Sequence, residues 1–148
     1  MQKRLLLIAS ALAASTVLPA SRAAADSETA ESCLAEAIYF EARGESRTSR
    51  EAVAHVIVNR AESEDFPDTI CGVVNQGCQF SYNCDGLPET LTHRESREAA
   101  FELAENVLDG STEDPTGGAL FYHGSHMTPY WAAAFETTGI VGAHTFYR

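Results

Sequence analysis

Apolar residues recur at helical spacing early in the chain. Ala30, Cys33, Leu34, Ala37 and Ile38 share one face and predict a helix ending near Arg43, with Gly44 as its stop. Thr48 and Glu51 read as a capping box for a second helix over Ser49 to Ala61. Ala52, Val53, Ala54, Val56, Ile57 and Val58 make that segment apolar on most sides, so it is expected to be the central buried helix. Phe66-Pro67-Asp68 opens a short third helix through Ile70, Val73 and Val74. Residues 76–88 have no helical period, and their glycines, cysteines and proline predict an ordered loop. Thr92 and Glu95 form a second capping box, ahead of a helix with Ala99, Ala100, Leu103 and Val107 inward and Asp109-Gly110 at its end. The pattern changes after the turn-rich Ser111–Gly118. Ala119 to His123 and Ile140 to Tyr147 read as short strands, with a helical turn over Pro129 to Phe135 between them. The expected class is α+β, mainly helical, with a small C-terminal antiparallel strand pair.

One position breaks the helical pattern. The residue that continues the first apolar stripe is Glu41. A Glu on a buried face is costly unless its charge is paired or lost. Burial raises a carboxyl pKa, and the negative end of a helix raises it further. A carboxylic acid held protonated near neutral pH suits acid catalysis on a glycosidic bond. Arg43, two residues on, points away from it. The structural alternative is an ion pair with a cation from another helix, such as Arg60.

Composition narrows the setting. Lys3 and Arg4, the apolar run Leu5 to Leu18 and the small residues Ala23-Ala24-Ala25 read as a secretory leader over residues 1–25, ahead of one domain over 26–148. The run is short for a membrane span and no Cys follows it closely, so no membrane anchor is expected. Removing Lys3, Arg4 and Arg22 takes the formal charge from −11 to −14. That excess argues against nucleic acid as a partner and suits a neutral polymer. Cys33, Cys71, Cys78 and Cys84 in an exported chain predict two disulfides. Of three pairings, the expected one is Cys78–Cys84 as a loop clip and Cys33–Cys71 tying the first helix to the third. A monomer is expected.

Other chemistry is thinner. A two-carboxylate hydrolase needs its acids about 5–9 Å apart. Glu45, Asp85 and Glu36 are the possible second carboxylates, each otherwise an ordinary surface acid. The loop Cys78-Gln79-Phe80-Ser81-Tyr82-Asn83-Cys84-Asp85-Gly86 mixes rings with amide and hydroxyl groups, as sugar sites do. Phe80 reads equally well as core. His123-Gly-Ser-His126 is the one close histidine pair, and no zinc-binding spacing accompanies it, so no metal or cofactor is expected. His144 is expected on a strand facing a cleft. Paired cysteines leave no free thiol nucleophile, and no Gly-x-Ser-x-Gly elbow occurs.

Taken together, these segments resemble a known family. Cys33-Leu-Ala-Glu-Ala-Ile-Tyr-Phe-Glu-Ala-Arg-Gly-Glu45, Ala52-Val-Ala-His-Val-Ile-Val-Asn-Arg60, Phe66-Pro-Asp-Thr-Ile-Cys-Gly-Val-Val74, Cys78-Gln-Phe-Ser81, Cys84-Asp-Gly86, Ala119-Leu-Phe-Tyr-His123, Pro129-Tyr-Trp131 and Gly142-Ala-His-Thr-Phe-Tyr147 are similar to SleB/CwlJ-type cell wall hydrolases. The resemblance implies a lysozyme-like, transglycosylase-type fold acting on peptidoglycan glycan strands. It places the family's catalytic Glu, in Glu-Ala-Arg-Gly-Glu, on Glu41. Within the matching segments Tyr122 and Trp131 join Gln79, Phe80, Ser81 and His144 as expected substrate contacts. The expected activity is a lytic transglycosylase in the periplasm or wall. The alternatives are a water-using muramidase or glucosaminidase, with Asp85 or Glu45 as second carboxylate, and a non-catalytic wall-binding module.

Overall fold

The computed structural model describes residues 29–148; the expected leader lies outside the described residues. Four helices come first: α1 (Ala30–Ala42), α2 (Arg47–Ala61), α3 (Ile70–Val74) and α4 (Arg94–Leu108). Three strands follow: β1 (Phe121–Gly124), β2 (Thr137–Val141) and β3 (His144–Tyr147). Short 3-10 turns cover Ser81–Cys84 and Tyr130–Ala134.

α1 is capped by a reciprocal pair. Thr29 Oγ1 accepts from the Ser32 amide at 3.0 Å, and Ser32 Oγ accepts from the Thr29 amide at 2.9 Å. The helix then buries Cys33, Leu34, Ala35, Ala37, Ile38, Tyr39 and Ala42, which lie on almost every side of it. Its alanines let neighbouring helices approach closely, and it packs on α2, α3 and α4. α1 is therefore as central as α2, the segment expected to hold that place alone. α2 is buried from Ala52 to Ile57.

Two helix starts differ from the sequence reading. Ser46 caps α2, its Oγ accepting from the Ser49 amide at 3.1 Å, so Thr48 lies inside the helix. His93 caps α4, with Nδ1 accepting from the Ser96 amide at 3.4 Å, in place of Thr92. In both cases the cap is the residue whose backbone is still extended when the helix begins, and side-chain type alone does not reveal which that is.

The strand pair is in fact a three-stranded antiparallel sheet, ordered β1-β3-β2. The segment Ile140–Tyr147, read as one strand, folds into a hairpin at Gly142-Ala143, with Val141 opposite His144. Gly142 sits in the left-handed region (φ 56) at the first central position, a geometry that Gly supplies without strain. A Cβ there would also collide with Ser49 Oγ, a buried group of α2. Gly142→Ala is therefore expected to cost about 2–4 kcal/mol, combining overpacking with backbone strain. A denaturant midpoint measurement checks this.

The sheet rests on α2 by its inner face. Tyr122, Phe146 and Val141 pack on Ala52 and Val56. Polar groups at the end of α2 fix the entry to β1. Arg60 Nε donates to the Leu120 carbonyl at 2.7 Å, and Asn59 Nδ2 donates to the Ala119 carbonyl at 3.1 Å. Disulfides join Cys33 to Cys71 and Cys78 to Cys84. The first ties α1 to α3, and the second closes the loop that carries Tyr82.

Candidate active site

Glu41 is the penultimate residue of α1, where unpaired helix carbonyls gather. It is half-buried, so its place on the stripe is the edge of the core and not its interior. Burial raises its pKa above the ordinary carboxyl range. Among the described residues no cation forms an ion pair with it. Arg43 is turned to Tyr39, donating to its hydroxyl at 3.0 Å and stacking its guanidinium 5.1 Å from the ring centroid. Arg60, 2% exposed, is committed to the Leu120 carbonyl and lies over the Phe66 ring. The ion-pair alternative to a protonated acid is therefore not realised with either arginine.

Two buried tyrosines lie within electrostatic reach of this carboxyl. Tyr82 comes from the disulfide-closed loop and stacks on Phe40 at 4.7 Å. Tyr122 comes from the inner face of β1 and stacks on Phe146 at 5.7 Å. Burial pushes both phenols up, and the Glu41 charge adds to the shift in each. The Glu41 charge thus reaches both the loop and the sheet. His144 shares the inner face, edge-on to Tyr122 at 5.5 Å, and its Nδ1 is buried without a hydrogen-bond partner among the described residues. Glu45 approaches the hairpin that carries His144; its carboxylate is 3.9 Å from where a Gly142 Cβ would stand.

Other expected contacts lie elsewhere. Phe80 is 1% exposed and packs against Tyr82 in the core, so its ring cannot serve as a sugar platform. Tyr82 is the ring of that loop whose hydroxyl feels the Glu41 charge. The sequence reading missed it because alternate residues of an irregular loop have no periodicity to separate inward from outward. Gln79 and Ser81 are exposed on the same loop. Asp85 is exposed and its Oδ1 accepts from the Leu87 amide at 2.8 Å, closing its own turn. Trp131 is not gathered with Tyr122 and His144. It packs on the opposite face of the sheet with Phe121, His123, Phe135 and Tyr147. Strand alternation puts Tyr122 and His144 on one face and Phe121, His123 and Tyr147 on the other.

His123 is engaged at both ring nitrogens. Its Nδ1 donates to the Gly124 carbonyl at 2.9 Å, which can only accept. In the neutral ring Nε2 then accepts from the Tyr147 hydroxyl at 2.8 Å. A metal at His123 would have to break one of these bonds.

Residues 44–147 match the sequence model of the family described as Cell Wall Hydrolase. The chain belongs to that family. The matched segment begins three residues after Glu41. Among relatives of this cell wall hydrolase, the spore cortex-lytic enzyme of Bacillus cereus is 36% identical over 116 residues, covering 78% of this chain and 42% of the relative. That of Halalkalibacterium halodurans is 34% identical over 114 residues, covering 76% and 33%. The chain thus spans between a third and a half of the length of these two relatives. Its fold is similar to the catalytic domain of the germination-specific lytic transglycosylase SleB from Bacillus anthracis, with TM-score 0.70, 32% identity, and coverage of 84% of this chain and 98% of that one. The Bacillus cereus SleB catalytic domain gives TM-score 0.65 and 30% identity, covering 80% and 89%.

Proposed function

We propose that this cell wall hydrolase cleaves the glycan strands of peptidoglycan as a lytic transglycosylase, with Glu41 as its acid and then its base. The observation that carries this reading is the half-buried, cation-free Glu41 carboxyl, with its raised pKa, within electrostatic reach of the Tyr82 loop and the Tyr122 face of the sheet. Protonated Glu41 donates to the oxygen that links N-acetylmuramic acid to N-acetylglucosamine. The C1–O bond breaks through an oxocarbenium-like state, and the departing sugar leaves with a free 4-hydroxyl. The muramyl 6-hydroxyl attacks C1 and gives its proton to Glu41, which restores the acid. The product is a 1,6-anhydro sugar, and no water is consumed. One carboxyl suffices because the substrate supplies the nucleophile. Such a substrate lies outside the cytoplasmic membrane, which agrees with the leader expected over residues 1–25.

The position of Glu45 beside the hairpin favours one rival, a water-using muramidase with Glu45 as second carboxylate. Mass spectrometry of muropeptides released from purified sacculi separates the two. Anhydro ends support the transglycosylase, and reducing ends support the muramidase. Release of neither leaves a wall-binding module.

The raised pKa has a kinetic sign. The acid form is the active one, so kcat/KM is expected to fall as pH rises through the Glu41 pKa, at a pH above the ordinary carboxyl range. A profile that rises over that interval would contradict the role of Glu41 as acid.

A further inference from the structure

The two disulfides stand in opposite surroundings. Cys33 is buried in the main core, and Cys71 packs against that core. Cys78 and Cys84 are both exposed, as are Gly77, Gln79, Ser81 and Asp85 beside them. The rate of thiol–disulfide exchange depends on access to the sulfur. A thiol in solution therefore meets the loop bond first, while the core shields the other on its Cys33 side.

The two bonds also hold different things. Cys33–Cys71 joins two helices across a separation of 38 residues, and Cys78–Cys84 closes one loop across 6. Inside that loop Phe80 and Tyr82 are buried, and Asn83 Nδ2 donates to the Val74 carbonyl at 2.8 Å. Tyr82 stacks on Phe40, the residue before Glu41 in α1, and its hydroxyl feels the Glu41 charge. The order of this loop therefore bears on the surroundings of the acid. The helices do not depend on it, because α1 packs directly on α2, α3 and α4.

We propose that Cys78–Cys84 is a redox site, opened by a dithiol reductant, that turns down the activity of the Glu41 centre while Cys33–Cys71 keeps the fold. One thiolate of the reductant attacks the sulfur of Cys78 or Cys84. The S–S bond breaks, the other cysteine leaves as a thiolate and takes a proton, and a mixed disulfide forms. The second thiol of the reductant then attacks its own sulfur in that mixed disulfide and frees the remaining cysteine. Two electrons and two protons reach Cys78 and Cys84, and the reductant ends as a disulfide. Without the cross-link the open loop has more conformations to lose, so its ordered state is less populated. The reverse exchange, with an oxidised dithiol, restores the clip. The proposal rests on the glycan-cleavage reading above.

The test is graded reduction of the folded protein with dithiothreitol. Each sample is split: one part is assayed on purified sacculi, and the other is alkylated and mapped by peptide mass spectrometry. Cys78 and Cys84 are expected to become alkylated together, at reductant concentrations that leave Cys33 and Cys71 joined. Muropeptide release should fall about 10-fold in step with that labelling, the scale set by losing a short cross-link. Far-UV circular dichroism should stay unchanged over the same range, and reoxidation should restore release. A Cys78→Ser/Cys84→Ser protein should show the lower rate from the start and no response to the reductant. Full activity in samples whose Cys78 and Cys84 are reduced would overturn the proposal. So would opening of Cys33–Cys71 before or together with the loop bond; both results come from wild type and need no variant to fold. Absence of muropeptide release from the oxidised protein would sink the cleavage reading instead. Co-sedimentation with sacculi before and after selective reduction then decides the redox site: weaker retention supports it, and equal retention refutes it.

Discussion

Replacing Glu41 with Gln is expected to reduce muropeptide release from purified sacculi by about 10²- to 10⁴-fold, the usual contribution of a general acid. The substitution keeps the side chain's shape and removes its transferable proton. It should also strengthen the fold at neutral pH. A carboxyl whose pKa is higher in the folded chain binds its proton more tightly there than in the unfolded chain. Stability therefore falls as pH rises from the ordinary carboxyl range through the raised folded-state value. The Gln variant lacks this loss, so its stability advantage over wild type should grow across that window. Chemical denaturation at acid and neutral pH, run beside the sacculus assay, reads both effects. Near-wild-type cleavage by the variant would remove Glu41 from the mechanism. A variant inactive because it is unfolded would show itself in the same denaturation curves.

Loss of the Cys33–Cys71 bond is expected to have the largest effect on stability. It closes a sequence separation of 38 residues, and loop-closure entropy for that span amounts to about 4 kcal/mol. For a domain of this size that corresponds to a drop in Tm of roughly 15 °C. Cys33 is buried in the main core, so a Cys33→Ala/Cys71→Ala pair also leaves a gap there. The Cys78–Cys84 bond spans only 6 residues, and its loss should cost about 2 kcal/mol. Its removal should instead be felt in activity, because the loop it closes carries Tyr82, whose hydroxyl feels the Glu41 charge. Calorimetry and the sacculus assay on the two double variants test the contrast. Equal Tm losses would mean that the denatured chain already restricts the longer loop.

Much of the fold was legible because the interactions that make it are local. The helical stripe of α1, the glycine that ends it and the aromatic and β-branched run at the end of the chain all follow from near neighbours along the sequence. The errors fall where a local signal admits two answers. Ser46 and Thr48 are both acceptable caps, and the chain direction leaving Gly44 selects Ser46. The run Ile140–Tyr147 has strand composition throughout, yet Gly142 must accommodate Ser49 of a distant helix, and the run becomes a hairpin.

The same division holds at the site. Helical phase alone marks Glu41 as out of place on an apolar face, and its position near a helix end is set by the residues around it. What no local pattern contains is the identity of its neighbours. Phe80 and Tyr82 are two residues apart in an irregular loop, and packing buries both in one core, with only the Tyr82 hydroxyl feeling the Glu41 charge. Tyr122 and Trp131 are both aromatic and close in sequence, and the alternation of β1 with the turn at Tyr130–Ala134 places them on opposite faces of one sheet. Arg60 is a plausible partner for Glu41 until the Leu120 carbonyl takes it. The sequence by itself determined which residue carries the anomalous carboxyl, because helical periodicity is a property of a single segment. Only the tertiary structure decided what surrounds that carboxyl and leaves it without a cation, because burial and pairing depend on residues that meet across the fold.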